Sequence, residues 1–198
     1  MNLRLPIVGL IVLALSLAPG AVAQSRGTND VALGKLLVAG PHVANATFQQ
    51  TVVLIVAVNP KEVAGVILNR PSKKTLAQAL PTVASAAQRT DPIFMGGPVE
   101  AAHPFAILHS ETALHEARHV VDDVYFTPLE PLIEMALNAQ RAATGLRVFL
   151  GYSGWTRDQV ERELAAGDWL IAPAKEADIF SDPAQLWPRL ANPPAVHQ

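Results

Sequence analysis

The apolar residues of this chain come in short blocks, each ended by polar residues or by Gly and Pro. The clearest block is residues 51–58, TVVLIVAV. A nearly unbroken β-branched run of this kind predicts a strand buried on both faces. Asn59-Pro60 turns the chain, and residues 63–68 form a second buried block that stops before Pro71. Two such blocks joined by a short polar turn predict a hairpin. Shorter blocks predict strands at residues 36–39, 93–95, 105–108, 146–150 and 169–172, and Gly96-Gly97-Pro98 separates the second from the third.

Helical spacing is clearest in two places. After Thr127 and Pro128, the residues Leu129, Leu132, Ile133, Ala136 and Leu137 recur on one helical face. A second helix is predicted to start at Thr156, with Gln159 completing a capping-box pattern and Gly167 as its stop. Residues 75–80 predict a short helix, and a Pro-punctuated helix is predicted around Leu186-Trp187. Without internal repeats or a linker, the pattern predicts one α+β domain.

The first 23 residues follow a different pattern. Arg4 precedes an uncharged apolar run of 13 residues at 5–17, and Pro19-Gly20 and Ala21-Val22-Ala23 follow. This is the layout of a secretory signal peptide, with small residues at −3 and −1. The run is also short for a membrane span, which needs about 20 residues. The reading is export to the periplasm or beyond, cleavage after Ala23, a mature domain at 24–198, and no stable membrane span after cleavage. A retained anchor is the alternative. Removing 1–23 removes only Arg4 among the charged residues, leaving 14 Lys and Arg against 17 Asp and Glu, a net charge of −3. That balance argues against a nucleic-acid partner. The chain has no cysteine, so disulfides, thiolate metal sites and a cysteine nucleophile are excluded.

Two segments match catalytic motifs. His115-Glu116-Ala117-Arg118-His119 fits H-E-x-x-H, in which a helix sets two imidazoles one turn apart to hold zinc beside a glutamate base. A zinc-dependent hydrolase using His115, Glu116 and His119 is therefore the alternative function. Arg118 inside the motif, the lack of a third ligand better than Glu134, and the β-branched run that follows all weigh against it. Gly151-Tyr152-Ser153-Gly154-Trp155 lies between a strand and a helix, the setting of a nucleophile elbow. Trp155 stands where the second glycine belongs, and the only later histidine is His197. The simpler reading is a tight turn at Gly151 and Gly154, with Trp155 covering the strand–helix junction and its indole N–H bonded to a loop carbonyl. Gly96-Gly97-Pro98 could cradle an anion with its backbone N–H groups, but a plain turn needs less.

Several segments, in order, resemble the YqgE/AlgH family of bacterial proteins. They are LLVAGPHVANATFQQTVV (36–53), GVILNRP (65–71), GGPV (96–99), FAILH (105–109) and FLGYSGWTRDQVERELAAGDWLIAP (149–173), with Phe180 and Leu186-Trp187 in the tail. The resemblance implies a single compact domain with a complex mixed β-sheet flanked by helices. It does not imply an activity, because the family is broadly uncharacterised; the expectation leans towards a non-enzyme without a cofactor. One namesake is described as a regulator of alginate synthesis, and relatives are usually expected in the cytoplasm. This chain departs from the family pattern at Asn45-Ala46, Glu62-Val63, Ser153 and Asp158. The family residues gather in turns at strand ends, where ligand groups commonly sit. The candidate ligand-binding set is His42, Asn69, Arg70, Gly96, Gly97, His109, Tyr152 and Trp155. Asn69 and Arg70 suit an anionic or amide-bearing ligand. The expected function is a non-enzymatic binding, accessory or regulatory domain with an unidentified protein or small-molecule partner.

Overall fold

The predicted hairpin forms from β2 (Val52–Val58) and β3 (Glu62–Ile67), with Val53 opposite Ile67 and Val58 opposite Val63. On the other edge of β2 lies β1 (Lys35–Ala39), antiparallel, with Leu36 opposite Leu54. Alternate residues explain the continuous apolar runs. Leu36, Val38, Val52, Leu54 and Val56 enter one core, and Leu37, Ala39, Val53 and Ile55 enter another on the opposite face. Both faces are covered, so neither can be polar.

The computed structural model describes residues 31–128, 130–139 and 145–192. Residues 1–23, read above as a signal peptide, lie outside the described residues, as do Leu129 and His197. After β3 come β4 (Pro71–Thr75), α1 (Leu76–Ala79), β5 (Pro92–Met95), β6 (Val99–His109), β7 (Arg118–Val121) and β8 (Val124–Thr127). There follow α2 (Glu130–Asn138), β9 (Leu146–Thr156), α3 (Arg157–Ala166), β10 (Trp169–Pro173), α4 (Glu176–Ile179) and α5 (Pro183–Ala191). The strands join in the order β10-β1-β2-β3-β9-β6-β8-β7, while β5 bridges β4 and β9. The β5–β9 pair is parallel and the other pairs are antiparallel, so the sheet is mixed. The fold is a single α+β domain, as the sequence implies.

Strand β9 is longer than its sequence suggests. Residues 151–154 do not form a tight turn between strand and helix; the strand continues through them to Thr156. Gly151 takes a left-handed conformation (φ 69°) that a side chain would disfavour, and it re-aims the strand. Before this bend β9 pairs with β5 and β6; after it Tyr152 still opposes Val99 of β6, and Ser153–Thr156 pairs with β3. Helix α3 then starts as predicted, with Thr156 Oγ1 accepting from the Gln159 N–H at 3.2 Å, and it ends at Gly167. Ile133, Ala136 and Leu137 of α2 are buried on the predicted face, in a third core with Ile93, Leu108 and Val148. No described helix is long and apolar enough to cross a membrane.

Candidate functional site

The candidate residues fall into separate places. Gly96, Gly97, Tyr152 and Trp155 lie where two chain segments cross. The Gly96 N–H donates to the Leu150 carbonyl at 2.9 Å, and the Gly96 carbonyl accepts from Ile67 N–H at 3.0 Å and from Ser153 Oγ at 3.1 Å. A Cβ on Gly96 would stand 2.2 Å from the Gly151 carbonyl oxygen, and one on Gly97 would stand 2.2 Å from the Tyr152 carbonyl carbon. These glycines let two backbones touch. The Gly96 N–H is already spent on the strand, which leaves it unable to serve in an anion cradle.

Trp155 is buried, 4% exposed. Its ring packs against Phe48 and Trp169, with centroids 5.4 and 5.9 Å away. Its indole N–H donates to a helix carboxylate, Glu163 Oε2 at 3.0 Å, rather than to the expected loop carbonyl. The same oxygen accepts from Trp169 at 2.8 Å, so one side chain of α3 satisfies two buried indoles. Tyr152 meets Phe105 edge-on in the neighbouring core. Ser153 is fully buried with its hydroxyl engaged, which does not suit a nucleophile.

The H-E-x-x-H segment is not helical. Residues 115 and 116 lie in a turn, and Arg118 and His119 begin β7, where β-branched neighbours favour a strand. The one-turn spacing of the two imidazoles that the motif requires is therefore absent. His119 Nε2 instead bonds the Asp122 carbonyl oxygen. Among the described residues no group of three or more His, Cys, Asp or Glu is placed to hold a metal ion. His109, at the end of β6, pairs through Nδ1 with Glu176 Oε1 at 2.7 Å and lines neither of the clefts below.

Asn69 and Arg70 do share a cleft. The loop before β2 begins with Asn45, whose side chain accepts from Thr47 N–H at 3.0 Å, and turns at Gln50 in a left-handed conformation (φ 56°). Phe48 anchors it on Trp155 and Trp169. Asn69 closes it from across the hairpin: Oδ1 accepts from Val52 N–H at 2.9 Å and Nδ2 donates to the Gln50 carbonyl at 2.8 Å. Arg70 Nη2 donates to the Gln49 carbonyl. This arginine has no carboxylate partner among the described residues. It lines two adjoining clefts of about 520 and 270 Å³, which share Gln50, Arg70 and Trp187. Pro41 and Val43 wall the larger, while exposed His42 between them lines neither cleft. Asn69 and Pro188 wall the smaller.

An AlgH-like family model (DUF179) matches residues 36–194. The chain belongs to the AlgH-like family. Relatives include UPF0301 proteins of Mycobacteroides abscessus, 34% identical over 170 residues, and of Mycobacterium tuberculosis, 34% identical over 163 residues. The first alignment covers 79% of this chain and 77% of the relative, and the second covers 79% of each. The solution structure of the AlgH protein from Pseudomonas aeruginosa is similar, with a TM-score of 0.66 and 28% identity over 80% of this chain and 85% of that one. A crystal structure of a Corynebacterium diphtheriae protein shares the fold, with a TM-score of 0.66 and 21% identity over 82% and 88% of the two chains.

Two side chains of this AlgH-like domain escaped the sequence reading of the site. Trp187 bonds the Ala39 carbonyl at 2.8 Å and presents its half-buried indole to both clefts. Its signal was a Trp on an amphipathic helix begun by Asp182-Pro183. Arg147 is a lone charge in the apolar strand LRVFL, and it is buried, 7% exposed. Burial lowers its pKa to about 10 against the opposing effect of nearby Asp182, so it remains a cation at neutral pH.

Proposed function

We propose that this AlgH-like chain is an exported, non-enzymatic binding or accessory domain that takes its partner at the Arg70 cleft. The observation that carries the reading is the state of Arg70. One of its nitrogens ties down the Gln49 carbonyl, and no described carboxylate neutralises the guanidinium that borders the 520 Å³ cleft. A guanidinium offers five donors in a planar fork suited to carboxylates, phosphates and amide carbonyls. Gln49 and Gln50 line the same cleft and bring both donors and acceptors. The partner chemistry is thus an anionic or amide-bearing group, on a small molecule or on a protein segment. The Asn69 clamp and the Phe48 anchor hold the loop beforehand, which lowers the ordering cost of binding.

Export rests on the apolar run at 5–17 and the Ala21-Val22-Ala23 site. Sequencing the protein recovered from cells should start at Gln24, and full-length chain in the cytosol would defeat this part. For the cleft, the discriminating pair is Arg70→Ala and Arg70→Lys, used as baits in periplasmic extract. Loss of a captured partner with both variants supports recognition by the planar fork. Retention with both would remove Arg70 from the site.

A further inference from the structure

A third cavity, of about 220 Å³, shares Pro183 with the smaller Arg70 cleft. Its walls are mostly apolar: Leu76, Pro92, Phe94, Val148 and Phe180. Arg147 also lines it, with its guanidinium carbon 4.8 Å from the centroid of the Phe94 ring. Arg147 Nη2 donates to the Ser181 carbonyl, and Nη1 reaches the Leu68 carbonyl at a long 3.4 Å. A guanidinium has five donors, so most of its hydrogen-bonding capacity is unused by the described residues. None of their carboxylates lies within ion-pair distance of it. Asp182 acts on it only through space, and Asp91, which also lines the cavity, is held by Arg89 Nε at 2.6 Å. A buried cation without a close anion is costly. The ring contact with Phe94 offsets part of that cost and leaves the anion position open.

We propose that this cavity binds a small apolar carboxylic acid, whose carboxylate takes the unused donors of Arg147 while its hydrocarbon part lies against Phe94, Val148 and Phe180. The size fits. A dry cavity of roughly 150 Å³ accommodates benzene, and 220 Å³ leaves room for a ring with a carboxylate. The site meets the Arg70 clefts only at Pro183 and does not depend on the function proposed for them.

Benzoate is the probe, titrated into the purified protein and followed by amide NMR. Saturable shifts are expected around Phe94, Arg147 and Phe180. Benzyl alcohol, nearly the same shape without the charge, should bind more weakly by on the order of tenfold, the worth of hydrogen bonds to a charged group. Phe180→Trp, which places a larger ring in the cavity, should weaken benzoate by a similar factor while keeping an aromatic wall. Shifts confined to Gln50, Arg70 and Trp187, or no saturable shifts at all, would overturn the proposal. Equal affinity for benzoate and benzyl alcohol would also overturn it, and this comparison needs only the wild-type protein should the variant fail to fold.

Discussion

Two places in the molecule hold most of the candidate residues, and they treat polar groups differently. Where Gly96-Gly97 crosses Gly151–Trp155, every polar group described above is consumed inside the protein. Ser153 Oγ donates to the Gly96 carbonyl, the Gly96 N–H donates to Leu150, and the Trp155 indole donates to Glu163. At the Asn69–Arg70 rim, Asn69 is likewise consumed by the loop, but Arg70 has one backbone acceptor and borders open space. The glycine-rich signature marks a crossing of backbones. The rim leaves a guanidinium without a described carboxylate partner. A motif at a strand end can thus serve packing or recognition, and what separates the two is whether its donors and acceptors are already spent.

The contrast predicts a graded series of effects. The largest is Trp155→Ala. Truncating a buried Trp typically costs about 3–5 kcal/mol through lost transfer energy and a residual cavity, out of roughly 5–15 kcal/mol for a whole domain. Denaturant melts should show a poorly folded protein. A stable variant that has lost binding would instead move Trp155 to the site. Next is Asn69→Ala, which strips the buried Val52 N–H of its acceptor and frees the Gln50 turn. Leaving a buried donor unpaired costs about 1–3 kcal/mol, again readable from the melt midpoint. Amide exchange should rise at residues 49–52. Unchanged stability would mean that the loop holds itself.

Ser153→Ala should be smaller, about 0.5–1.5 kcal/mol for one hydrogen bond. The Gly96 carbonyl keeps its bond from Ile67, so no acceptor is orphaned. A loss as large as that of Trp155→Ala would show that the hydroxyl organises the crossing. The smallest stability effect belongs to Arg70→Ala. A half-exposed side chain that gives up one bond should move the melt by only about 0.5 kcal/mol, while its effect on binding should be complete.

The sequence made the strands of the two inner cores legible because both faces are covered, and continuous apolar runs such as TVVLIVAV follow directly. Other elements were hidden for physical reasons. Strand β4, PSKKT, opens with Pro, is largely exposed, and has only Pro71 and Thr75 in register with β5. Strand β9 runs through Gly151-Tyr152-Ser153-Gly154, where glycine reads locally as a turn and in fact permits a bend. The H-E-x-x-H match suggested helical spacing, while the neighbouring Val120-Val121 belongs to a strand. At the site, Asn69 and Arg70 were identifiable from the NRP turn between β3 and β4. Trp187 was not, because it reaches the cleft from 117 positions further along the chain than Arg70. Arg147 could have been noticed as an isolated charge among LRVFL, but its burial depends on elements distant in sequence.

The most direct test of the central distinction is capture from periplasmic extract with three full-chain baits in parallel: wild type, Ser153→Ala and Arg70→Ala, each shown by its melt to be folded. The account predicts that wild type and Ser153→Ala hold the same partner and that Arg70→Ala does not. A partner kept by Arg70→Ala and lost by Ser153→Ala would contradict it and place recognition at the glycine crossing.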